Sequence, residues 1–346
     1  MTHFFSCDWG TTSFRLRRVN ADTGEVLAQR QEASGIRTLS ASRAAGETAE
    51  NVFANFLREQ LRLVAGKNTA LLDGAAVVVS GMASSSVGWR ELPYARMPLN
   101  LDGSGIVQEA FELTMDAGLR ARVHLISGVR AEADMMRGEE TEIIGIFADG
   151  RHSRIAEDGM VVLPGTHSKH VRLRHRQLTG FRTYMTGELF DVLSADSLLR
   201  ASVKMAGGLG SATLSETASR DAFASGVREA SVHGLAGSLF QTRVRTVLQS
   251  VPPAVNRWFL SGLLVGSELA DLAGREMDAP IVLAAAEPLH AAYCLAFEIL
   301  GLKNKLTVAP PEEMALASVR GHRVLLAACV KTGLQHVPCA KSLEDS

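Results

Sequence analysis

The chain has 346 residues, 46% hydrophobic and 21% charged, enough for two domains that each bury a core. Its net charge of -1 excludes an electrostatic grip on nucleic acid. Four cysteines (Cys7, Cys294, Cys329, Cys339) without metal-ligand spacing exclude a zinc module and a disulfide scaffold, and with no leader or long apolar run a cytoplasmic protein with no membrane partner is expected.

The first element is an apolar run, Phe4 to Cys7, ending at Asp8. It turns through Gly10-Thr11-Thr12-Ser13 and resumes as an alternating strand from Phe14. A second turn near Gly24 predicts a third strand, so residues 3–32 read as a hairpin plus one strand. Gly10 lets an anion approach the backbone, and successive N–H groups in a tight turn form an anion nest. Asp8 beside them is the kind of ligand that a hydrated Mg²⁺ prefers. A structural turn carries the same residues, so this motif alone decides little.

Residues 44–64 have helical spacing, with Val52, Phe53, Phe56, Leu57, Leu61 and Val64 on one face. Residues 75–79 are a continuous apolar run suited to a buried parallel strand. The polar segment 80–94 begins at that strand's carboxyl end, where open α/β sheets bind ligands. Met82, Ser84, Trp89, Arg90 and Tyr94 lie within it and offer donors, a stacking surface and a positive charge. A solvated connection is the bland reading. A strand at 123–128 then leads to Arg137-Gly138-Glu139-Glu140-Thr141-Glu142 and an apolar helix from Ile143. Acids at a helix start complement its dipole. One of the three carboxylates, facing the cleft, would also be a rigidly held general base.

The opening pattern then returns. Residues 160–163 are an apolar strand, Gly165-Thr166-His167-Ser168 repeats the Gly-Thr-x-Ser turn, and Lys169 opens the outgoing strand, with a third strand after Gly180. A duplicated strand-turn-strand unit predicts two related half-molecules, each presenting a phosphate loop. Beyond it, helices are expected at 186–199, within the Ala-, Gly- and Ser-rich 201–238, and at 256–273, 289–300 and 312–332. Strands are expected at 280–283 and 306–308. The small residues Ala284, Ala285 and Ala286 at a strand-to-helix turn would let a flat adenine ring lie against the backbone.

The paired Gly-Thr turns resemble the two phosphate loops of the actin-like ATPase and sugar-kinase superfamily. Asp8-Trp9-Gly10, Gly81-Met82 with Val87-Gly88-Trp89, the 136–141 segment, Pro164 to Lys169 and Thr186-Gly187-Glu188-Leu189 together resemble the 2-dehydro-3-deoxygalactonokinase family. The resemblance is specific up to about residue 190 and continues more weakly to the last helix. It implies an α/β fold of two related actin-like (ribonuclease H-like) domains, residues 1–150 and 151–346, with a nucleotide cleft between them. It departs at Pro164, where the superfamily opens its second loop with an aspartate, and at the alanines replacing a glycine-rich adenosine loop.

The activity implied is ATP-dependent phosphorylation of the C6 hydroxyl of 2-dehydro-3-deoxy-D-galactonate. Asp8 would orient Mg²⁺. Gly10, Thr11, Thr12, Gly165, Thr166 and Lys169 would hold the phosphates, with Ala285 and Ala286 at the adenine. Glu139 would be the base and Glu140 its reserve. Met82, Ser84 and Trp89 would line the sugar-acid site, and Arg90, Arg137 or Arg182 would bind its carboxylate. A homodimer is compatible with the resemblance. A nucleotide hydrolase, an actin-like switch and a kinase of the gluconate-derived epimer are the rival readings.

Overall fold

A computed structural model of the protein describes residues 2–44, 46–204, 214–273 and 279–332. The chain forms two compact units. The first comprises Met1–Ser153, Arg176–Thr179 and the chain from Ala315 on; the second comprises Arg154–His175 and Gly180–Met314. The last helix, placed in sequence with residues 151–346, is grouped with the first unit.

The first unit contains β1 (His3–Trp9), β2 (Phe14–Asn20), β3 (Val26–Glu32), α1 (Ile36–Ala41), α2 (Ala49–Ala65) and β4 (Ala76–Gly81). It continues with β5 (Ala95–Arg96), β6 (Leu99–Asn100), β7 (Gln108–Thr114), β8 (Arg120–Ile126), β9 (Val129–Arg130), β10 (Met135–Met136) and α3 (Glu139–Ile146). Its main sheet has the order β3-β2-β1-β4-β8-β7. The β1–β2 and β2–β3 pairs are antiparallel, whereas β4 runs parallel to both β1 and β8.

Alternation divides β1 between two faces. Phe5, Cys7 and Trp9 join Phe53, Leu57 and Leu61 of α2 in the main core. Ser6 and Asp8 look the other way. On that face the buried Ser6 hydroxyl meets His322 Nδ1 at 2.8 Å. His322 comes from the last helix.

The second unit holds most of α4 (Ser153–Glu157), then β11 (Asp158–Leu163), β12 (Ser168–Arg174), β13 (Gln177–Tyr184), α5 (Thr186–Ala195), α6 (Arg200–Val203), α7 (Thr217–Ser238) and α8 (Gln241–Gln249). After these come α9 (Pro253–Ala273), β14 (Ile281–Leu283), α10 (Leu289–Ile299), β15 (Leu306–Val308) and α11 (Pro311–Ala315). Its sheet runs β15-β14-β11-β12-β13. Read from the other end, that is the order β3-β2-β1-β4-β8 again, with β11–β12 antiparallel and β11–β14 and β14–β15 parallel. The duplicated half expected from the two Gly-Thr turns is therefore present. Phe223, Val227, Val265, Leu269 and Phe297 cover the sheet from α7, α9 and α10.

The final helix, α12 (Ala317–Thr332), lies on α3 in the first unit because glycines face it. A Cβ on Gly145 would stand 1.8 Å from the Ala317 carbonyl oxygen, and one on Gly321 would stand 2.0 Å from that of Thr141. The two backbones touch. That contact fixes the helix carrying the three acids and explains why the chain's end returns to the first unit.

Candidate active site

In the first unit, β1 and β4 end side by side, with Asp8 beside Ser80 and Trp9 beside Gly81. Gly81 and Gly138 both have positive φ, +91° and +113°. A Cβ on Gly81 would meet the Trp9 carbonyl oxygen at 2.6 Å, and one on Gly138 would meet Gly81 Cα at 3.4 Å. Close approach of these backbones sets the start of α3 at the mouth of the two strands. Gly10 closes the first loop through its N–H to the Ser13 carbonyl at 2.9 Å. The loop is braced by α1: Ile36 N–H donates to Gly10 O at 3.0 Å and Arg37 N–H to Thr11 O at 3.1 Å. Thr11 and Thr12 remain exposed.

The acids of this region act on one another. Burial raises the Asp8 carboxyl above its ordinary range; Arg15 and Arg17 pull it down, and Glu139 pushes it further up. Arg15 stands directly across the hairpin from Asp8. Glu140 is wholly buried and accepts the Gly138 N–H with both oxygens, at 3.0 and 2.8 Å, and the Thr141 hydroxyl at 3.1 Å. Burial and the Glu139 charge push it up to about 8 against those hydrogen bonds. Glu142 also rises to about 8, through burial and then the charges of Asp8, Glu139 and Glu140. Glu139 is half-buried and accepts the Arg137 N–H at 3.0 Å. Among the described residues no three Asp, Glu, His or Cys side chains are arranged to hold a metal by themselves. A lone carboxylate held up by burial beside a second acid suits Mg²⁺, which keeps several waters and takes phosphate oxygens.

Arg90 and Arg137, both in this unit, differ sharply. Arg90 is engaged by two acids: Nε and Nη2 donate to Glu50 at 3.0 and 2.9 Å, Nη1 to Glu109 at 2.8 Å, and its face covers Phe111 at 3.6 Å. Burial lowers its guanidinium, but Glu50 and Glu109 outweigh that and hold it above its usual value. Arg137 lies 4.2 Å over the Tyr94 ring, and its Nη1 donates to the Ser84 carbonyl at 2.6 Å and to the Ser84 hydroxyl. Its Nε is buried without a hydrogen-bond partner among the described residues.

In the second unit, Gly165 N–H donates to Ser168 Oγ at 3.3 Å across the second loop, and α5 packs on it through Glu188 N–H to Thr166 O at 3.0 Å. Lys169 is buried and donates to the His167 carbonyl at 2.9 Å. Next to this loop is a cavity of about 890 Å³. Gly165, Thr166, Phe190, Arg257, Trp258 and Tyr293 are among its walls, with residues 287–289 along another side. That volume lies within the usual range for small-molecule sites, about 300–1,000 Å³.

Residues 8–320 match the model of the 2-keto-3-deoxy-galactonokinase family. The chain belongs to that family. A Rhizobium meliloti (strain 1021) protein named "Probable 2-dehydro-3-deoxygalactonokinase DgoK1" is 33% identical over 307 residues, covering 87% of this chain and 90% of the relative. An Escherichia coli (strain K12) protein named 2-dehydro-3-deoxygalactonokinase is 31% identical over 306 residues, covering 86% and 90%. A crystal structure of a candidate 2-dehydro-3-deoxygalactonokinase from Sinorhizobium meliloti superposes with a TM-score of 0.73 at 28% identity, covering 96% of this chain and all of that one.

Within this family member the structure gathers Asp8, Gly10, Ser84, Arg137 and Glu139 in the first unit, and Gly165 and Thr166 at the cavity of the second. Other expected residues lie elsewhere. Trp89 is 4% exposed and packs edge-on against Phe111 at 5.0 Å, so it belongs to the core and offers no stacking surface. Met82 packs against that core. Ala285 is buried in the core of the second unit, and neither it nor Ala286 lines the cavity. Arg182 is exposed in the second unit and pairs with Asp271 at 3.1 Å. Sequence reading overlooked Arg15, Arg257 and Trp258. Arg15 was legible, since hairpin pairing sets it opposite Asp8. Arg257 and Trp258 lie on a long helix with no motif around them.

Proposed function

We propose that the protein is an ATP-dependent kinase that phosphorylates the C6 hydroxyl of 2-dehydro-3-deoxy-D-galactonate, in galactonate catabolism in the cytoplasm. The observation that carries this reading is the match of residues 8–320 to the 2-keto-3-deoxy-galactonokinase family, with Asp8 near the end of β1 beside β4 and Glu139 at the start of α3. Phosphoryl transfer asks little covalent chemistry of a protein; it asks for positioning and charge stabilisation.

Glu139 accepts the C6 hydroxyl proton. The freed oxygen forms its bond to the γ-phosphorus as the bond to the β,γ-bridging oxygen breaks, and ADP leaves with that electron pair. Glu140 serves the backbone: its carboxyl is occupied by the Gly138 N–H and the Thr141 hydroxyl. Asp8 would hold a hydrated Mg²⁺, which would supply positive charge against the developing charge of the transferred phosphoryl group. Gly10, Thr11 and Thr12 form the phosphate loop of the first unit, and Gly165 and Thr166 form that of the second. The adenosine part of ATP lies in the 890 Å³ cavity, against residues 287–289 and Trp258.

Arg137 is the cation for the substrate carboxylate. Ser84 takes its Nη1, leaving the Nε edge for a planar acid, and Arg90 has already spent its donors on Glu50 and Glu109. The test is ADP release, measured with and without the acid. Release that depends on Mg²⁺ and rises strongly with 2-dehydro-3-deoxy-D-galactonate, more than with the gluconate-derived epimer, is the expected result. Equal release without any acid overturns the reading.

A further inference from the structure

One buried carboxylate in the second unit is used by nothing in this reaction scheme. Glu268, on α9, is 2% exposed. Its Oε2 accepts the Tyr293 hydroxyl at 2.6 Å and the Thr186 hydroxyl, and its Oε1 meets His170 Nε2 at 2.8 Å. Tyr293 is on α10, Thr186 on α5 and His170 on β12. Three elements thus converge on an acid carried by a fourth. The chain of hydroxyls then continues outward: Tyr293 Oη lies 3.1 Å from Ser168 Oγ, and Ser168 Oγ accepts the Gly165 N–H at 3.3 Å.

Direction follows from the acid. Tyr293 donates its single proton to Glu268 and is left with lone pairs. Ser168 must then donate to Tyr293, which aims its own lone pairs at the Gly165 N–H. Every proton in the series points toward Glu268. The arrangement raises the Tyr293 hydroxyl well above its ordinary pKa, through burial and then the charge and hydrogen bond of Glu268.

A core acid of this kind is not needed for stability, because well-packed apolar residues do as well. What distinguishes Glu268 is where its partners lead. Tyr293 and Thr186 form walls of the cavity beside the loop, and Gly165 is the loop glycine itself. We propose that Glu268 is a positioning residue that sets the second phosphate loop through Tyr293 and Ser168, holding the loop and the cavity wall in one register for nucleotide. The inference rests on the reading that ATP occupies this cavity.

The experiment is calorimetric titration of the full-length protein with Mg²⁺-ADP, alongside KM for ATP and for the keto-deoxy acid. The variants are Tyr293→Phe, Ser168→Ala, their double mutant and Glu268→Gln. Breaking the series should weaken nucleotide binding roughly three- to tenfold, the effect of one neutral hydrogen bond. KM for the acid and the melting temperature of Ser168→Ala should stay close to wild type. Because both substitutions cut the same series, the double mutant should bind about as well as the weaker single mutant. Additive losses, or wild-type ADP affinity in both single mutants, overturn the positioning role. If the wild-type protein itself binds no ADP, the nucleotide reading of the cavity falls, and the positioning role falls with it. Should Glu268→Gln fail to fold, the Tyr293 and Ser168 pair still decides.

Discussion

The two units share one strand order and one turn, yet they carry different chemistry. Counting back from the loop glycine, Asp8 stands two residues before Gly10, and the matching position before Gly165 is Leu163. The first unit thus has a carboxylate at the strand's end, joined by Glu139 and Glu142 from α3. The second has an apolar residue there, with Glu268 buried behind the loop and Glu188 paired to His167 at its exposed side. In exchange the second unit opens a cavity of about 890 Å³ between α5, α9 and α10. Duplication supplied two loops; the side chains around each decide which one handles charge and which one holds a ligand's bulk. A fold repeated in one chain is therefore no guide to where the reaction occurs.

The comparison breaks first at Glu139. Glu139→Gln keeps size and hydrogen bonding but cannot take a proton, so kcat should fall by roughly 10²–10⁴ with KM for both substrates little changed. A larger loss in Glu142→Gln would move the base one turn along the helix. Steady-state kinetics on both variants makes the distinction.

Next come the arginines. Arg137→Met should raise KM for the keto-deoxy acid by about tenfold to a hundredfold, the value of a charge-assisted pair, while KM for ATP stays put. Arg90→Met removes a guanidinium already tied to Glu50, Glu109 and Phe111. It should lower the melting temperature by a few degrees and leave both Michaelis constants alone. Selective loss of acid affinity in Arg90→Met would reverse the assignment.

The smallest effect concerns pH. Glu140 and Glu142 both hold their protons up to about 8, well above the ordinary 4.5. A carboxyl that is harder to ionise when folded favours the folded state fully below its unfolded pKa. That contribution is lost as pH rises from there toward about 8. The melting temperature should therefore decline between pH 5 and pH 8, and Glu142→Gln should flatten the decline. A wild-type melting temperature that climbs over this interval would contradict the mutual repulsion described for these acids.

Much of this was readable before any coordinates. The apolar runs at 75–79 and 160–163, the two Gly-Thr turns and the acids at 139–142 locate both loops and the α3 start, because local pattern fixes strands, turns and helix starts. Burial was less legible. Trp89 and Arg90 look like a ligand loop in sequence, and only the structure shows Trp89 buried against Phe111 and Arg90 tied to Phe111, Glu50 and Glu109. The same holds for Ala285, whose small size serves the core. Pairings far apart in the chain, such as Glu268 with His170 and Thr186, leave no periodic trace at all. The return of α12 to the first unit is of that sort too, since Gly145 and Gly321 are unremarkable until their backbones meet.

That return has a bearing on how the protein is made. A ribosome delivers the chain from its amino end, and by the time residue 314 has emerged every part of the second unit is available to fold. The first unit, begun earlier, is still missing the helix on which α3 rests through Gly145 and Ala317. The nascent chain thus has its whole second unit available to fold before its first unit is complete, and the segment carrying Glu139, Glu140 and Glu142 acquires its support only once α12 has emerged.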